Sequence, residues 1–457
     1  MREGSLSRKD NMQNIAVSPN KFPPEQQGWY AIAVLLLAYI SSMIDRVILG
    51  YLVTPIKQTF EVTDSHLSVL MGIAFTLFYT CLGIFAGHLA DTSVRRTIIA
   101  GGIALWSLAT VYCGMAKSYF QLFLGRVAVG IGEATLSPSA YSLIADYFPP
   151  ERRTTAMSVY SMGISIGNGA AVMLAGAIAG FAAQAEMMTI PLVGAIYPWQ
   201  YIFFVVGLPG LLVSLLCFTV KEPPRIGIDN TRSGNIRSVL RYIQEHKKAA
   251  LCHTLGFSMF SVFNQGVGFW FPELFIRTYG WKRPEIGLWQ GSTSVLFGTI
   301  GLWVGSRLAE WFLRRGYTDA NMRVMLVAAA GLLPIAVVMP LLPTGTMAAC
   351  CFVWTALFGF MPYGAAPAAI QQLMPNQMRG QAGALFLFTI NVIGGGAGPF
   401  VVSSLTDFVF NNDAALRYSV AVTALLSLSA ALILYAYGLR YFRESMRRVA
   451  SATMMET

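Results

Sequence analysis

Charge is scarce in this chain. Asp, Glu, Lys and Arg together make up 12% of the 457 residues, while 55% are hydrophobic; soluble domains carry about 25% charged residues, so a water-soluble globular fold is excluded and an integral membrane protein remains. The six cysteines (Cys81, Cys113, Cys217, Cys252, Cys350 and Cys351) fall in apolar stretches without CxxC spacing, which leaves no redox or thiolate-metal motif. The four histidines, His66, His88, His246 and His253, are scattered and make no metal-ligand cluster. A phosphate-binding GxxxxGK[ST] loop is missing, so ATP does not drive the protein's work, and no cofactor is implied. A membrane-embedded enzyme would need a nucleophile and a base converging at one depth, yet His88 beside Asp91 has no matching Ser or Cys motif. Residues 1–28 are polar and begin without an apolar core, as expected of a cytoplasmic tail rather than a cleavable signal peptide.

What is abundant is long apolar runs. Twelve stretches, 29–55, 66–90, 96–116, 119–147, 153–182, 199–220, 249–279, 285–312, 322–342, 346–374, 378–408 and 414–441, are each long enough to cross about 30 Å of hydrocarbon as a helix. With the N-terminus inside, 23 of the 32 Lys and Arg fall in cytoplasmic segments and 6 outside, with Arg46, Arg126 and Arg307 within spans. This asymmetry predicts a multi-pass protein of the cell membrane with both termini cytoplasmic. The net charge of +10 therefore orients the chain in the bilayer and meets anionic lipid rather than nucleic acid.

The spans divide into two six-helix halves, 29–220 and 249–441, joined by the polar segment 221–248 and followed by a tail, 442–457. Leu89-Ala90-Asp91 with Arg95-Arg96 is echoed by Leu308-Ala309-Glu310 with Arg314-Arg315, an offset of 219, and Pro149, Arg153 and Ala156 by Pro375, Arg379 and Ala382, an offset of 226. Paired bundles of this kind suit alternating access, in which two bodies rock about a central site. In the linker, Ile236, Val239, Leu240 and Ile243 recur at helical spacing with Arg237 and Arg241 on the other side, which predicts an amphipathic surface helix.

Charges inside apolar spans cost about 2.5–3.5 kcal/mol or more unless they face a bundle interior or an aqueous cavity. Arg126 and Glu133 lie seven residues apart in the fourth span, within about 20° of one helix face, with Gly125, Gly130 and Gly132 around them. Asp45 and Arg46 of the first span sit at a depth between Arg126 and Glu133 by the helical rise of about 1.5 Å per residue. Crosswise pairing of acids with bases is therefore expected, in a neutral network of four charges. A purely structural ion pair is the competing reading.

These residues carry a resemblance. GHLADTSVRR (Gly87–Arg96) resembles the loop motif of the major facilitator superfamily, and the Asp45-Arg46 step, RVAVGIGEA (Arg126–Ala134) and PPERR (Pro149–Arg153) together resemble its Spinster-like branch. The family's motif favours a basic residue and a glycine where this chain has Thr92 and Val94. The resemblance implies an all-α membrane protein of twelve transmembrane helices in two pseudo-symmetric six-helix bundles. It implies alternating-access transport of an amphipathic lipid (a lysophospholipid or sphingoid phosphate) or another organic anion, coupled to protons, by a monomer. Carried over, Arg46 becomes the ligand for an anionic headgroup, Glu133 and Asp45 the protonation sites and Arg126 their modulator. Gly87, Asp91, Arg95, Arg96, Asp146 and Arg153 become a cytoplasmic gate. Separating a carboxylate from its guanidinium in a dry cavity favours taking up a proton, which would couple rocking to proton loading.

In the second half, Asn264, Gln265 and Glu273 in span 7 and Asn391 in span 11 are polar at depth and complete the expected substrate site. Phe257, Phe260, Phe263, Phe269, Trp270, Phe271, Phe386 and Phe388 crowd the same spans, a surface suited to an apolar tail. Glycines 163, 167, 169, 176 and 180 of span 5 point to close helix packing or a hinge. The Gly-Pro step of antiporters falls instead at Gly398-Pro399, so antiport is not specified. A multidrug or small-solute transporter of the same fold, and a lipid sensor without net transport, remain open alternatives.

Overall fold

The computed structural model describes residues 22–148, 150–182, 187–190, 194–225, 236–374 and 379–456. Twelve long helical runs fill it: α1 (25–51), α2 (64–92), α3 (Arg95–Gly114), α4 (119–147), α5 (Pro150–Ala182), α6 (Pro198–Cys217), α7 (Lys247–Tyr279), α8 (283–314), α9 (320–341), α10 (345–373), α11 (379–410) and α12 (Leu416–Glu456). Eight are long and apolar enough to cross a membrane by length and composition; the others are α4, α5, α7 and α8. The predicted fourth span is not continuous, because α4 is broken at Ala134-Thr135 between Tyr119–Glu133 and Leu136–Tyr147. Short helices Val53–Phe60 and Ile236–Glu245 precede α2 and α7. A two-stranded hairpin, β1 (Met188–Ile190) and β2 (Gly194–Ile196), lies between α5 and α6 with Thr189 opposite Ala195.

Local chemistry sets the ends. Ser118 caps α4 by accepting from the Gln121 amide at 3.3 Å, and α7 stops at Gly280, whose φ of +69° is left-handed. With an even number of crossings, residues 22 and 456 lie on one face, here the near face; residues 51–64 and 279–283 lie on the far face.

Helices α1–α6 pack with one another, α3 on α6 and α4 and α1 on α5 and α6, while α7, α9 and α12 form the centre of the second half. Near-side residues of the first half, including Ile103, Trp106, Val129 and Phe148, make their own apolar core. At the far side the two halves merge in a single cluster that runs from Ile48, Leu70 and Trp199 to Trp270, Phe271 and Leu332. The bundles cross at α5–α8 and α2–α11. At α2–α11 both helices widen to π-turns, Val69–Ile73 and Asn391–Ala397, and a Cβ on Gly72 would lie 2.6 Å from the Gly396 carbonyl oxygen. Only hydrogen as a side chain permits that approach.

The linker helix Ile236–Glu245 does not simply lie on a membrane surface: Val239 is fully buried in the second half's core while Leu240 is exposed.

Candidate functional site

The charges of α1 and α4 come together, but not in the symmetric cross expected. Glu133 and Arg46 form an ion pair, Oε2 to Nε at 2.6 Å, and Ser42 Oγ donates to the same oxygen at 2.5 Å. Arg126 has no carboxylate partner in the described structure; its Nη1 donates to the backbone carbonyl of Asp45 at 3.2 Å. Asp45 Oδ1 instead accepts from Thr110 Oγ1 of α3 at 2.7 Å. Asp45, Arg126 and Glu133 are each 1% exposed.

The ring faces of Phe75 and Tyr79 on α2 lie 4.7 and 4.6 Å from the Arg46 guanidinium carbon, a geometry that stabilises a cation. The Arg46 side chain keeps 24% exposure, and no hydrogen bond within the described residues engages its two terminal nitrogens. Those nitrogens form a two-donor edge matched to a carboxylate or phosphate. At this site Asp45 Oδ2, Glu133 Oε1 and Arg126 Nε are buried without a hydrogen-bond partner among the described residues. Unpaired atoms on three charged side chains gathered in one place are a cost that points to function.

The second-half candidates divide. Asn264 donates to the Gly359 carbonyl of α10 at 3.1 Å. The Gln265 amide nitrogen reaches the glycine turn of α11 near Gly395, and Asn391 opens that π-turn half-buried. Glu273 is elsewhere: it is fully buried at the far side, accepting from Thr54 Oγ1 at 2.8 Å and from Arg277 Nε at 3.0 Å.

Glu273 belongs to a far-face lock that the sequence reading did not assemble. Arg277 of α7 donates to both oxygens of Asp64 of α2, at 2.5 and 3.1 Å. Lys57 pairs with Asp413 at 2.6 Å and with Asp64 at 3.1 Å. The Asp407 carboxylate receives the Ser65 amide at 2.6 Å, Ser68 Oγ donates to the Pro399 carbonyl at 3.0 Å, and Tyr51 reaches Gln290 at 3.0 Å. Among the described residues, every hydrogen bond and ion pair between the bundles falls in this far-side zone. The carboxylates of Asp64, Asp407 and Asp413 approach one another; Lys57 pairs with Asp64 and Asp413 and Arg277 with Asp64, while Asp407 accepts the Ser65 amide.

At the near face, Arg95 is fully buried and bonds Asp146, the Ser142 carbonyl at 3.1 Å, Glu222 Oε1 at 2.7 Å and the Pro223 carbonyl at 3.0 Å. Glu222 also receives the amides of Arg95 and Arg96, at 3.3 and 3.0 Å, so it caps the N-terminus of α3. Arg96 Nη1 donates to the Val220 carbonyl at 3.3 Å. Arg225 caps the end of α2 through the carbonyls of Ala90 and Ser93, at 2.8 and 2.6 Å. Each charge has the sign favoured at its helix end. The side chains of Asp91 and Arg153, and the surroundings of Gly87, lie outside the described residues.

Two six-helix bundles around buried charges at mid-depth define a secondary transporter. The family model of the Major Facilitator Superfamily matches residues 35–399, and the chain belongs to that superfamily. It is 27% identical to an MFS-type efflux pump of Mycolicibacterium smegmatis over 436 residues, covering 92% of this chain and 94% of that one. It is 29% identical to protein spinster homolog 1 of Xenopus laevis over 323 residues, covering 66% of this chain and 58% of the relative. The crystal structure of a bacterial homolog of the human lysosomal transporter Spinster, inward-facing and unoccupied, aligns with a TM-score of 0.76 at 24% identity, covering 93% of this chain and 98% of that one. The likeness to the Spinster-like branch read from the motifs is borne out, and the chain is a multi-pass transporter rather than an enzyme.

Proposed function

We propose that this transporter moves an amphipathic lipid with an anionic headgroup, of lysophospholipid or sphingoid-phosphate type, or a related organic anion, coupled to protons. The observation that carries the reading is the Arg46 guanidinium: fixed by Glu133 through Nε and by two aromatic faces, it offers its remaining donors to an oxyanion. Asn264, Gln265 and Asn391 add neutral ligands from the second bundle. Glu273 serves the far-face lock instead.

Proton coupling rests on two buried carboxylates held differently. Glu133 is neutralised by Arg46, whereas Asp45 has a hydroxyl donor and a free oxygen. An anion arriving on Arg46 competes with Glu133 for the same guanidinium, and a carboxylate released from its cation in a dry site favours protonation. Arg126, anchored on the Asp45 backbone, is the modulator of the two acids. The far-face lock supports a state open towards the near face, which the distribution of basic residues places in the cytoplasm. Arg95, Asp146, Asp91, Arg96 and Arg153 then form the gate on that side. The protein works as a monomer in the cell membrane.

Export of drugs or small organic solutes is the second reading, favoured by the full-length likeness to an efflux pump. Counterflow in proteoliposomes separates the two. Labelled lysophosphatidylglycerol exchanging across the bilayer, with ethidium inert, supports the lipid reading; ethidium exchange alone sinks it, and no exchange of either leaves a sensor.

A further inference from the structure

Far from the central site, α12 and the start of α7 bring two cations and two phenols together at the near-face edge of the second bundle. Tyr437 and Tyr441 are one turn apart, with hydroxyl oxygens 2.9 Å from each other. The Lys248 ammonium lies 4.7 Å from the centre of the Tyr441 ring, and the Arg440 guanidinium carbon 4.6 Å from the same ring and 5.9 Å from that of Tyr437. Tyr437 is 52% exposed, and Lys248 and Arg440 are exposed as well. Neither cation is ion-paired in the described structure, although Glu444 follows Arg440 by one turn; neighbouring Arg443, by contrast, is taken by Asp319 at 3.2 Å.

The depth is that of lipid headgroups. Arg440 lies 24 residues along α12 from Leu416, about 36 Å at the helical rise, which is a little more than the hydrocarbon thickness of about 30 Å. Lys248 is the second residue of α7, at the same level. Amphipathic phenols settle in this layer, and cations near it attract anionic headgroups. The aromatic faces hold both cations in place without neutralising them, and the two hydroxyls, one O–H of which is spent in their mutual bond, leave one donor for a further oxygen.

We infer that Lys248, Arg440, Tyr437 and Tyr441 form a docking site for the phosphate of an anionic phospholipid, on the outside of the second bundle and separate from the transport pathway. A headgroup bound here bridges α7 and α12, two helices of one bundle, and so stiffens that bundle as a body.

The test uses the purified full-length chain in mixed micelles, titrated with phosphatidylglycerol or with phosphatidylcholine while thermal stability is followed. Phosphatidylglycerol is expected to raise the Tm at lower mole fraction than phosphatidylcholine. Lys248→Gln with Arg440→Gln should raise the half-effective mole fraction of phosphatidylglycerol about five-fold for each cation removed. The pair Arg314→Gln and Arg315→Gln removes equal charge from the near end of α8 and should leave that fraction unchanged. Equal loss in both double variants overturns the site in favour of diffuse attraction, and no loss in the first overturns it outright. Should that double variant not fold, Tyr437→Phe, which removes one hydroxyl and keeps the ring, must still weaken the phosphatidylglycerol effect, or the inference fails.

Discussion

Arg277 of α7 grips Asp64 of α2 with both terminal nitrogens, at 2.5 and 3.1 Å, across the boundary between the two bundles. Asp64 is fully buried there, so removing the guanidinium leaves its carboxylate to Lys57 alone and takes the cation from Glu273, at a cost below the roughly 3–5 kcal/mol of a buried charge left wholly unpaired. Arg277→Ala is therefore expected to shift the population towards far-side opening. A cysteine placed at Ser65 should react faster with an impermeant thiol reagent in the variant; an unchanged rate refutes the lock.

Glu133→Gln keeps the shape of the pair but removes its titration. Transport in liposomes should lose most of its dependence on a pH gradient, while binding of an anion at Arg46 strengthens, because its competitor is gone. Persistent proton coupling in this variant would transfer the role to Asp45 alone.

Arg46→Ala should weaken an anionic substrate by about 10- to 100-fold, the worth of hydrogen bonds to a charged group, and a neutral analogue far less. Arg46→Lys should rescue little, since an ammonium lacks the planar two-donor edge. Equal losses for both substrates would exclude the headgroup role.

Gly72 tests the π-turn crossing. A valine there meets the Gly396 carbonyl at 2.6 Å, and overpacking of this kind costs about 1–3 kcal/mol. The far-face zone should open, with faster labelling at Ser65 and slower transport, while Gly83→Ala, which meets nothing within 4 Å, behaves as wild type.

His246, between the linker helix and α7, is buried against Tyr242, with ring centres 4.7 Å apart. Burial lowers its pKa; Glu245 opposes this and Arg448 adds to it. The docked linker therefore holds the neutral imidazole, and the undocked one takes a proton below about pH 6.5. Docking is complete above that pH and weakens as pH falls. Protection of residues 239–246 against hydrogen exchange, taken relative to the intrinsic amide rate at each pH, should fall between about pH 7.5 and about 5.5, and His246→Gln should flatten the response.

Much of the architecture was legible in the chain, because a hydrocarbon solvent enforces long apolar helices and a two-fold echo betrays the paired bundles. The gathering of Asp45, Arg46, Arg126 and Glu133 was legible too, from depth and helical phase. Which acid takes which base was not, since Glu133 meets Arg46 and Arg126 meets a backbone carbonyl only through the rotation of α1 about its axis. Glu273 looked like a cleft residue from its polarity, yet Arg277 four positions later was a local sign of its true partner. Glu222 gave no local sign at all, because the helix end it caps lies 127 residues away.

The α5–α8 crossing differs in kind from the α2–α7 lock. Gly176 and Gly287 touch backbone to backbone, and a Cβ on Gly176 would sit 2.7 Å from the Gly287 Cα; Gly169 and Gly291 meet in the same way. Val295, Met173 and Pro284 seat in the notches left by Gly169, Gly291 and Gly180, so this crossing is a close uncharged fit, while the ionic contacts around Asp64 act as a latch. Fit and holding force are thus assigned to different helices, so the strength of closure can be tuned at Asp64 or Arg277 without disturbing the α5–α8 contact.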